Sequence, residues 1–371
     1  MNSEKTLHVG SPNIGELEAF WERAQFIFQE KWLTNRGKLV QQFERELAKF
    51  LGVKHCISMC NGTVALEIAI RALSLEGEVI LPSFTFIATA HALQWQEITP
   101  VFCDISPDTF CIDPCKIESL INPKTSAIVG VHVFSRPCDV DALQRIADRH
   151  GLKLLFDAAH AFGCSYGAKT IGGFGNCEVF SFHATKFFNS FEGGAVTTND
   201  DQLAEKIRLM QNFGFAGYDN VVHIGTNGKM TEICAAMGLT NLENIDSFLR
   251  VNKRNYDLYR EKLSGLKGLE LMCFDEAEKC NWQYIVVEVE ETFPLTRDKL
   301  MEKLHRENVV ARRYFWPGCH RMQPYRSKMQ SLGQRLSITE SLSSRLLVLP
   351  TGTAVGPDDI SRVCRLIAEC N

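Results

Sequence analysis

A chain of 371 residues is longer than one hydrophobic core usually fills, so we expect a large domain and a smaller one. With 45% hydrophobic and 23% charged residues, the composition is that of an ordinary globular protein. The net charge of -4 argues against a nucleic-acid partner, because nucleic-acid-binding surfaces concentrate lysine and arginine. The N-terminal sequence MNSEKTLHVGSPNIGELEAF lacks a basic, apolar leader, and no uninterrupted apolar stretch reaches about 18 residues. We therefore expect a cytoplasmic protein without a membrane partner.

Seven short apolar runs, separated by turn residues, predict strands in the first two hundred residues. These runs are residues 55–59, 78–82, 99–105, 125–134, 152–159, 177–182 and 194–198. Amphipathic helical patterns lie before and between them, at residues 38–53, 64–73 and 139–151. Continuously apolar strands that alternate with helices indicate an α/β fold with a mainly parallel sheet, covered on both faces.

The pattern changes after about residue 200, where a helical segment leads into the glycine- and asparagine-rich loop GYDNVVHIGTNGKM. The last third of the chain predicts helices at 252–265 and 296–308 and strands at 282–290 and 309–315. We therefore predict a large domain over residues 1–245, including the N-terminal segment, and a smaller α/β domain over residues 246–371.

The fourteen cysteines raise the question of a metal site or disulfides. The closest pairs are Cys56 with Cys60 and Cys111 with Cys115, and the sequence contains no C-x-x-C. Many of the cysteines lie in apolar runs, where a reduced cysteine behaves as a small hydrophobic residue. We expect structural thiols and no metal.

Lys186 lies in the stretch FSFHATKFFNSFEGG, with no acidic or other basic residue except a histidine within five positions. Such a lysine either lies along the surface with its ammonium in water or is an amine whose pKa is lowered by burial. Lys186 follows the predicted strand 177–182, and ligands gather at the carboxyl ends of strands in open parallel sheets. This position favours a reactive amine that can form a Schiff base.

Asp157 ends another predicted strand, in LLFDAAHAFG, where a lone carboxylate is costly without a cationic partner. Pyridoxal phosphate would account for both charges, because its aldehyde reacts with a lysine and its ring nitrogen pairs with a carboxylate. Its phosphate needs hydrogen-bond donors at a helix N-terminus, and Asn61, Gly62 and Thr63 precede the predicted helix 64–73.

The ordered motifs NGTVAL, PSFTFIATAHAL, FDAAHAFG, FSFHATK, EGG and TNGKMTE resemble the DegT/DnrJ/EryC1/StrS family of pyridoxal-phosphate-dependent sugar aminotransferases. The resemblance runs from WLTNRG near residue 32 to LPTGTAVG near residue 350. It implies an aspartate-aminotransferase-like chain, which is fold type I of pyridoxal phosphate enzymes. Lysine at position 186, in place of the histidine of dehydratase relatives, implies an aminotransferase. The motifs VHVFSRPCDVDAL and RRYFWPGCH are most similar to members that aminate C4 of a dTDP-4-keto-6-deoxyglucose.

The resemblance also implies residue roles. Lys186 forms the Schiff base and moves the proton, Asp157 pairs with the ring nitrogen, and His160 lies beside the ring hydroxyl. The other implied cofactor-binding residues are Phe86, which stacks on the ring, and Gly62, Thr63, Ser181 and Asn227 at the phosphate. Asn227 reaches the phosphate from the other subunit, so the resemblance implies a homodimer with shared active sites.

The implied reaction transfers an amino group from L-glutamate to the 4-keto group of a nucleotide-linked 6-deoxyhexose. Amination at C3, or of a keto-cyclitol, stays open, because the cofactor motifs are common to all three reactions. A non-catalytic sugar-nucleotide sensor is disfavoured, because Lys186 and Asp157 are both present. Candidates for substrate contacts are Arg254, Arg313, Tyr314, His320 and Tyr325.

Overall fold

A seven-stranded sheet forms the centre of the structure, a computed structural model that describes residues 5–331 and 335–371. The elements of its first part are β1 (Leu7–His8), α1 (Leu17–Glu30), α2 (Lys38–Leu51), β2 (His55–Met59), α3 (Gly62–Ala72), β3 (Glu78–Pro82), α4 (Ile87–Gln94), β4 (Thr99–Cys103), α5 (Pro114–Ile117), β5 (Thr125–Val131), α6 (Val140–His150), β6 (Lys153–Asp157), β7 (Ser165–Tyr166), β8 (Lys169–Thr170), β9 (Cys177–Ser181), β10 (Gly194–Thr198), α7 (Asp201–Gln211) and α8 (Glu232–Glu243). The elements that follow are α9 (Ile245–Leu263), β11 (Leu269–Leu271), β12 (Ile285–Val289), α10 (Arg297–Arg306), β13 (Val309–Val310), α11 (Gln323–Ser331), α12 (Ser337–Arg345), β14 (Leu346–Leu349) and α13 (Pro357–Ala368).

The strand order of the central sheet is β2-β10-β9-β6-β5-β3-β4, and β10 runs antiparallel to both of its neighbours. All seven predicted strands are present, and the α/β fold with a mainly parallel sheet is confirmed. The antiparallel direction of β10 was not predicted from the sequence.

Both faces of the sheet are covered, which explains why its strands are continuously apolar. On β3, Val79 and Leu81 face a core formed with α3, α4 and α7, whereas Ile80 faces a second core that includes α6. Because successive side chains of β3 enter two different apolar cores, neither face of this strand is left for water. A third core, formed with α1, α2 and α8, covers the sheet beside β9 and β10.

The last third of the chain has its own antiparallel sheet, with the order β11-β12-β14, and a core formed with α9, α10 and α13. Strand β1 pairs in parallel with β13, and Leu7 is buried in this core. The N-terminal strand, which the sequence prediction included in the large domain, therefore packs against the C-terminal part. The predicted boundary after residue 245 stays a prediction and falls at the start of α9.

The strand predicted over residues 309–315 is observed only as β13, which contains Val309 and Val310. The backbone turns from Tyr314 onward, and Pro317 has no N–H to donate to a ladder. No helix in the described ranges is long and apolar enough to cross a membrane.

Candidate active site

A cavity of about 620 Å³ lies where β6 and β9 end and α3 begins. Carboxyl ends of parallel strands meet at one edge of a sheet, so side chains that follow different strands converge there. The predicted residues that line this cavity are Gly62, Thr63, Phe86, Asp157, His160, Ser181, Lys186 and Tyr314.

Lys186 lies in the turn that follows β9, and its backbone N–H donates to the carbonyl of His183. Its side chain faces the cavity, and its amine has no hydrogen bond or ion pair with any described residue. Burial lowers the pKa of Lys186 from the ordinary 10.5 to about 8, although the negative charge of Asp157 raises it in part. At this pKa roughly a tenth of the amine is neutral, and nucleophilic, at pH 7, far more than at the ordinary pKa of 10.5.

Asp157 is the last residue of β6, and its carboxylate is held by two donors. Its Oδ1 accepts from the backbone N–H of Ala159 at 3.1 Å, and its Oδ2 accepts from the hydroxyl of Thr89 at 2.8 Å. Thr89 Oγ1 also lies 3.0 Å from Thr85 Oγ1, and both threonines are buried. The single proton of Thr89 goes to the charged carboxylate at 2.8 Å rather than to the carbonyl of Phe86 at 3.2 Å, so Thr85 donates to Thr89. The two hydroxyls form a chain that ends on the carboxylate.

His160 packs between aromatic rings, with its centroid 4.4 Å from that of Tyr284 and 5.7 Å from that of Phe315. Its Nδ1 accepts from the backbone N–H of Phe134 at 3.4 Å. Burial lowers the pKa of His160 well below its usual range, and the charge of Lys186 adds to this effect. His160 is therefore neutral, and its proton is on Nε2.

The N-terminus of α3 forms the third part of the site. Asn61 caps the helix by accepting from the backbone N–H of Val64 at 2.8 Å. The N–H groups of Gly62 and Thr63 have no partner in the described part of the chain, so they are free to bind an anion. A Cβ on Gly62 would lie 2.9 Å from the Cβ of Ser181, so only glycine lets α3 approach the end of β9 this closely.

Three of the predicted residues lie outside this cavity, on the surface of the chain. Arg254 is exposed on α9, and its guanidinium donates to Asn255. Arg313 pairs with Asp298 at 3.1 Å and lies in a neighbouring groove. Asn227 is exposed in the loop before α8 and accepts from a neighbouring lysine.

Two more predicted residues are buried outside the cavity. His320 lies 2.6 Å from Ser83 Oγ through Nδ1 and 3.1 Å from Glu340 through Nε2. Tyr325 packs edge-on against Phe102, with 5.3 Å between the ring centroids. Neither side chain lines the cavity.

Sequence reasoning missed Thr89 and Arg312 in this site. Thr89 lies on α4, three residues after the N-cap residue Phe86, and nothing in the motif TFIAT indicates that its buried hydroxyl reaches Asp157. Arg312 lines the cavity, whereas its neighbour Arg313 does not. The pair RR gave no indication of which arginine turns inward, because the chain leaves the strand conformation there.

The cysteines take no part in the cavity. All fourteen are free, and burial raises the pKa of buried thiols such as Cys56 and Cys177. Within residues 5–331 and 335–371, no three histidine, cysteine or acidic side chains converge as metal ligands would.

Comparison with known proteins gives a match between residues 16–368 and the model of the DegT/DnrJ/EryC1/StrS aminotransferase family. The chain belongs to this family. It is 40% identical over 369 residues to a dTDP-4-amino-4,6-dideoxy-D-glucose transaminase from Shigella dysenteriae, with 99% of each chain covered. An Escherichia coli transaminase of the same name is 37% identical over 368 residues, covering 98% of this chain and 99% of the relative. The crystal structure of DesI with its TDP-sugar product has a TM-score of 0.94 and 47% identity, covering 99% of this chain and 93% of DesI.

Membership of the aminotransferase family confirms the predicted cofactor, pyridoxal phosphate. The cavity fits this group on chemical grounds. It offers an unpaired amine at Lys186, a fixed carboxylate at Asp157 and free N–H groups at the start of α3. The ring of Phe86 is 58% exposed and lines the same cavity, so its face is available for stacking.

The pKa of Lys186 predicts how the apoenzyme takes up its cofactor. Only the neutral amine attacks the aldehyde, so the rate of covalent uptake should rise with pH and be half-maximal near pH 8. The growth of visible absorption, followed by stopped flow across a pH series, measures this rate. Borohydride reduction and mass spectrometry should find the cofactor attached to Lys186, and the variant Lys186→Ala should carry no covalently attached cofactor. A half-maximal rate near pH 10.5 would contradict the lowered pKa.

The hydroxyl chain predicts a role for Thr89. Thr89→Val removes a hydrogen bond to a buried carboxylate, a type of bond worth about 1.5–3 kcal/mol, and should lower kcat by about tenfold or more. Thr89→Ser keeps the hydroxyl and should stay close to wild type. Steady-state kinetics and the dissociation constant of pyridoxal phosphate measure the effect, with Tm as the control for folding. Equal losses in both variants would contradict this role, because Thr89→Ser retains the hydroxyl that donates to Asp157.

Proposed function

We propose that this enzyme transfers the amino group of L-glutamate to C4 of dTDP-4-keto-6-deoxy-D-glucose, giving dTDP-4-amino-4,6-dideoxy-D-glucose. The observation that carries the proposal is the full-length similarity to two transaminases named for this product. The similar structure of DesI contains a TDP-sugar product, which supports dTDP as the nucleotide of the substrate. Amination at C3, or of a keto-cyclitol, is the alternative.

Pyridoxal phosphate, when bound, supplies a carbonyl that condenses with amines and a ring that accepts the electron pair left when a substrate carbon loses its proton. Asp157, held by Thr89 and Ala159, keeps the ring nitrogen protonated through its negative charge. His160 offers its Nε2–H as a neutral donor beside the ring hydroxyl. The ring of Phe86 holds the cofactor plane from one side.

Lys186 has two successive tasks in this proposal. It would hold the cofactor through Nζ, and its amine, when free, would take up and return the proton at the reacting carbon. The lowered pKa suits both tasks, because the amine must be neutral to accept that proton and protonated to return it. Gly62, Thr63 and Ser181 bind the cofactor phosphate at the start of α3.

We also infer the finer features of the fold from the family. The chain is of fold type I, aspartate-aminotransferase-like, with a large domain over residues 1–245 and a smaller one over residues 246–371. Separate cores around the seven-stranded and three-stranded sheets support two domains. The pairing of β1 with β13 means that the N-terminal strand joins the smaller domain in packing.

A homodimer with shared active sites is part of the same proposal. Apolar side chains are exposed on α1, on the segment that follows it and on the loop between α7 and α8, far beyond the scattered exposure of a monomer surface. They are Leu17, Trp21, Phe28, Trp32, Leu33, Phe213, Phe215, Tyr218, Val221, Val222 and Ile224. Asn227 lies in the same loop and outside the cavity of its own chain, which supports its use by the neighbouring subunit.

The substrate assignment predicts the position of the new amine. Purified enzyme, loaded with pyridoxal phosphate and supplied with glutamate, should convert the 4-keto dTDP-sugar and leave the 3-keto dTDP-sugars unchanged. NMR of the product locates the amine, and the 4-keto UDP- and GDP-sugars serve as nucleotide controls. An amine found at C3 would replace this proposal with its alternative.

The shared site predicts recovery of activity when two inactive variants are mixed. Lys186→Ala lacks the amine, and Asn227→Ala weakens cofactor retention in the neighbouring site. In a mixed dimer, one of the two sites combines an intact Lys186 with an intact partner Asn227, so up to about half of the wild-type activity per dimer should return. Subunit exchange is verified by native mass spectrometry of differently tagged chains. Verified mixed dimers without activity would show that Asn227 acts within its own chain.

A further inference from the structure

Arg312 lies where the active-site cavity meets a second hollow. An adjoining groove of about 430 Å³ runs between α10 and the segment after β13. The cavity and the groove share the lining residues Thr85, Phe86, Arg312, Tyr314 and Phe315. A molecule that reaches from one hollow into the other must therefore pass Arg312.

The charge of Arg312 is uncompensated. Its guanidinium lies over the ring of Tyr314 at 5.4 Å and has no side-chain hydrogen bond or ion pair with any described residue. The acidic residue Glu192 also lines the cavity, but it faces His183 at 3.7 Å. Among the described residues that line the cavity, Arg312 and Lys186 are the lysine and arginine side chains, and Lys186 serves the cofactor.

The groove beyond Arg312 has the character of a nucleoside site. Trp316 is 44% exposed there, and Arg313 lies over its ring at 4.5 Å and pairs with Asp298. Met301 and Met322 add apolar walls. Because Arg313 covers one face of the Trp316 ring, a base would stack on the other face, with the exposed ring as its platform.

We propose that Arg312 binds the diphosphate of the nucleotide-sugar substrate, with the sugar in the cavity and the nucleoside in the groove beside Trp316. This inference rests on the proposed function, because it takes the sugar to react beside Lys186. In a nucleotide sugar the diphosphate lies between hexose and nucleoside, as Arg312 lies between cavity and groove. The planar fork of a guanidinium donates to two oxyanions at once, which suits a diphosphate better than a lysine does.

The first test measures binding of dTDP and of inorganic diphosphate to the pyridoxal-phosphate-loaded enzyme by isothermal titration calorimetry. Arg312→Met should weaken binding of both ligands about tenfold or more, and Arg312→Lys should weaken it less, because charge without the fork remains. The matched control is Arg149→Met, which removes an exposed, ion-paired arginine at the opposite edge of the sheet and should leave both affinities unchanged. An unchanged affinity of Arg312→Met for dTDP, with an unchanged Tm, would overturn the proposal.

The second test separates the diphosphate from the nucleoside and from the amino donor. Trp316→Leu should weaken binding of dTDP severalfold but leave that of inorganic diphosphate unchanged. Arg312→Met should leave the glutamate half-reaction, followed by the loss of visible absorption, within about twofold of wild type, while KM for the nucleotide sugar rises about tenfold or more. An equal loss in the glutamate half-reaction would mean that Arg312 binds the donor carboxylate, and an unchanged affinity of Trp316→Leu for dTDP would exclude the groove.

These outcomes are distinct from a failure of the proposed function. If wild-type enzyme aminated no 4-keto nucleotide sugar, the proposed function would be wrong whatever the variants did. If wild type aminated the sugar but Arg312→Met bound dTDP and kept its KM, the function would stand and the role of Arg312 would be wrong.

Discussion

The electrostatic coupling of Lys186 with Asp157 is the interaction on which the rest of the site depends. The two groups follow neighbouring strands, β9 and β6, so the sheet itself brings an amine and a carboxylate to one cavity. Burial lowers the pKa of Lys186 and the charge of Asp157 raises it in part, so that the pKa is about 8. The nearby His160 stays neutral partly because Lys186 is positive. Lys186 can therefore gain and lose a proton beside the negative charge of Asp157 and the neutral ring of His160.

The cavity contains fixed groups that complement the charges of pyridoxal phosphate. The free N–H groups and the dipole of α3 would favour a phosphate, and the carboxylate of Asp157 would favour a ring cation. Neither feature rests on a flexible side chain, because the first is backbone and the second is held by two hydrogen bonds. Such preorganisation avoids reorientation of the protein dipoles during the reaction.

Sequence reasoning succeeded where the signal was local. The strands of the central sheet were predicted because each is a short apolar run, and Lys186 and Asp157 stood out because a charge at the end of such a run is unusual. An apolar run does not show whether a strand is parallel or antiparallel to its neighbours, so the direction of β10 was not predicted. Strand 309–315 was predicted too long, since an apolar pattern does not show where a partner strand ends. The site roles that the family implies stay predictions until they are measured.

The substrate candidates failed to converge for a related reason. Basic and aromatic residues in a sequence near a reacting motif suggest ligand contacts, but the same residues are used to anchor one part of a chain on another. His320 is an example, since it is 1% exposed and bonded to Ser83 and Glu340. Arg312 was overlooked because nothing in the pair RR distinguishes an arginine paired with an acid from one facing an open cavity.

The anchoring of His320 links the segment that carries Arg312 and Tyr314 to the segment that holds Asp157. Ser83 binds His320 and the backbone of Cys319, which fixes the segment that carries Arg312 and Tyr314. Six residues further on, Thr89 holds Asp157. One end of the short segment from Ser83 to Thr89 therefore contacts Cys319 and His320, and the other end contacts the carboxylate of Asp157. Because β3 and α4 hold both ends of this segment, the same few residues position Asp157 and the segment that carries Arg312 and Tyr314.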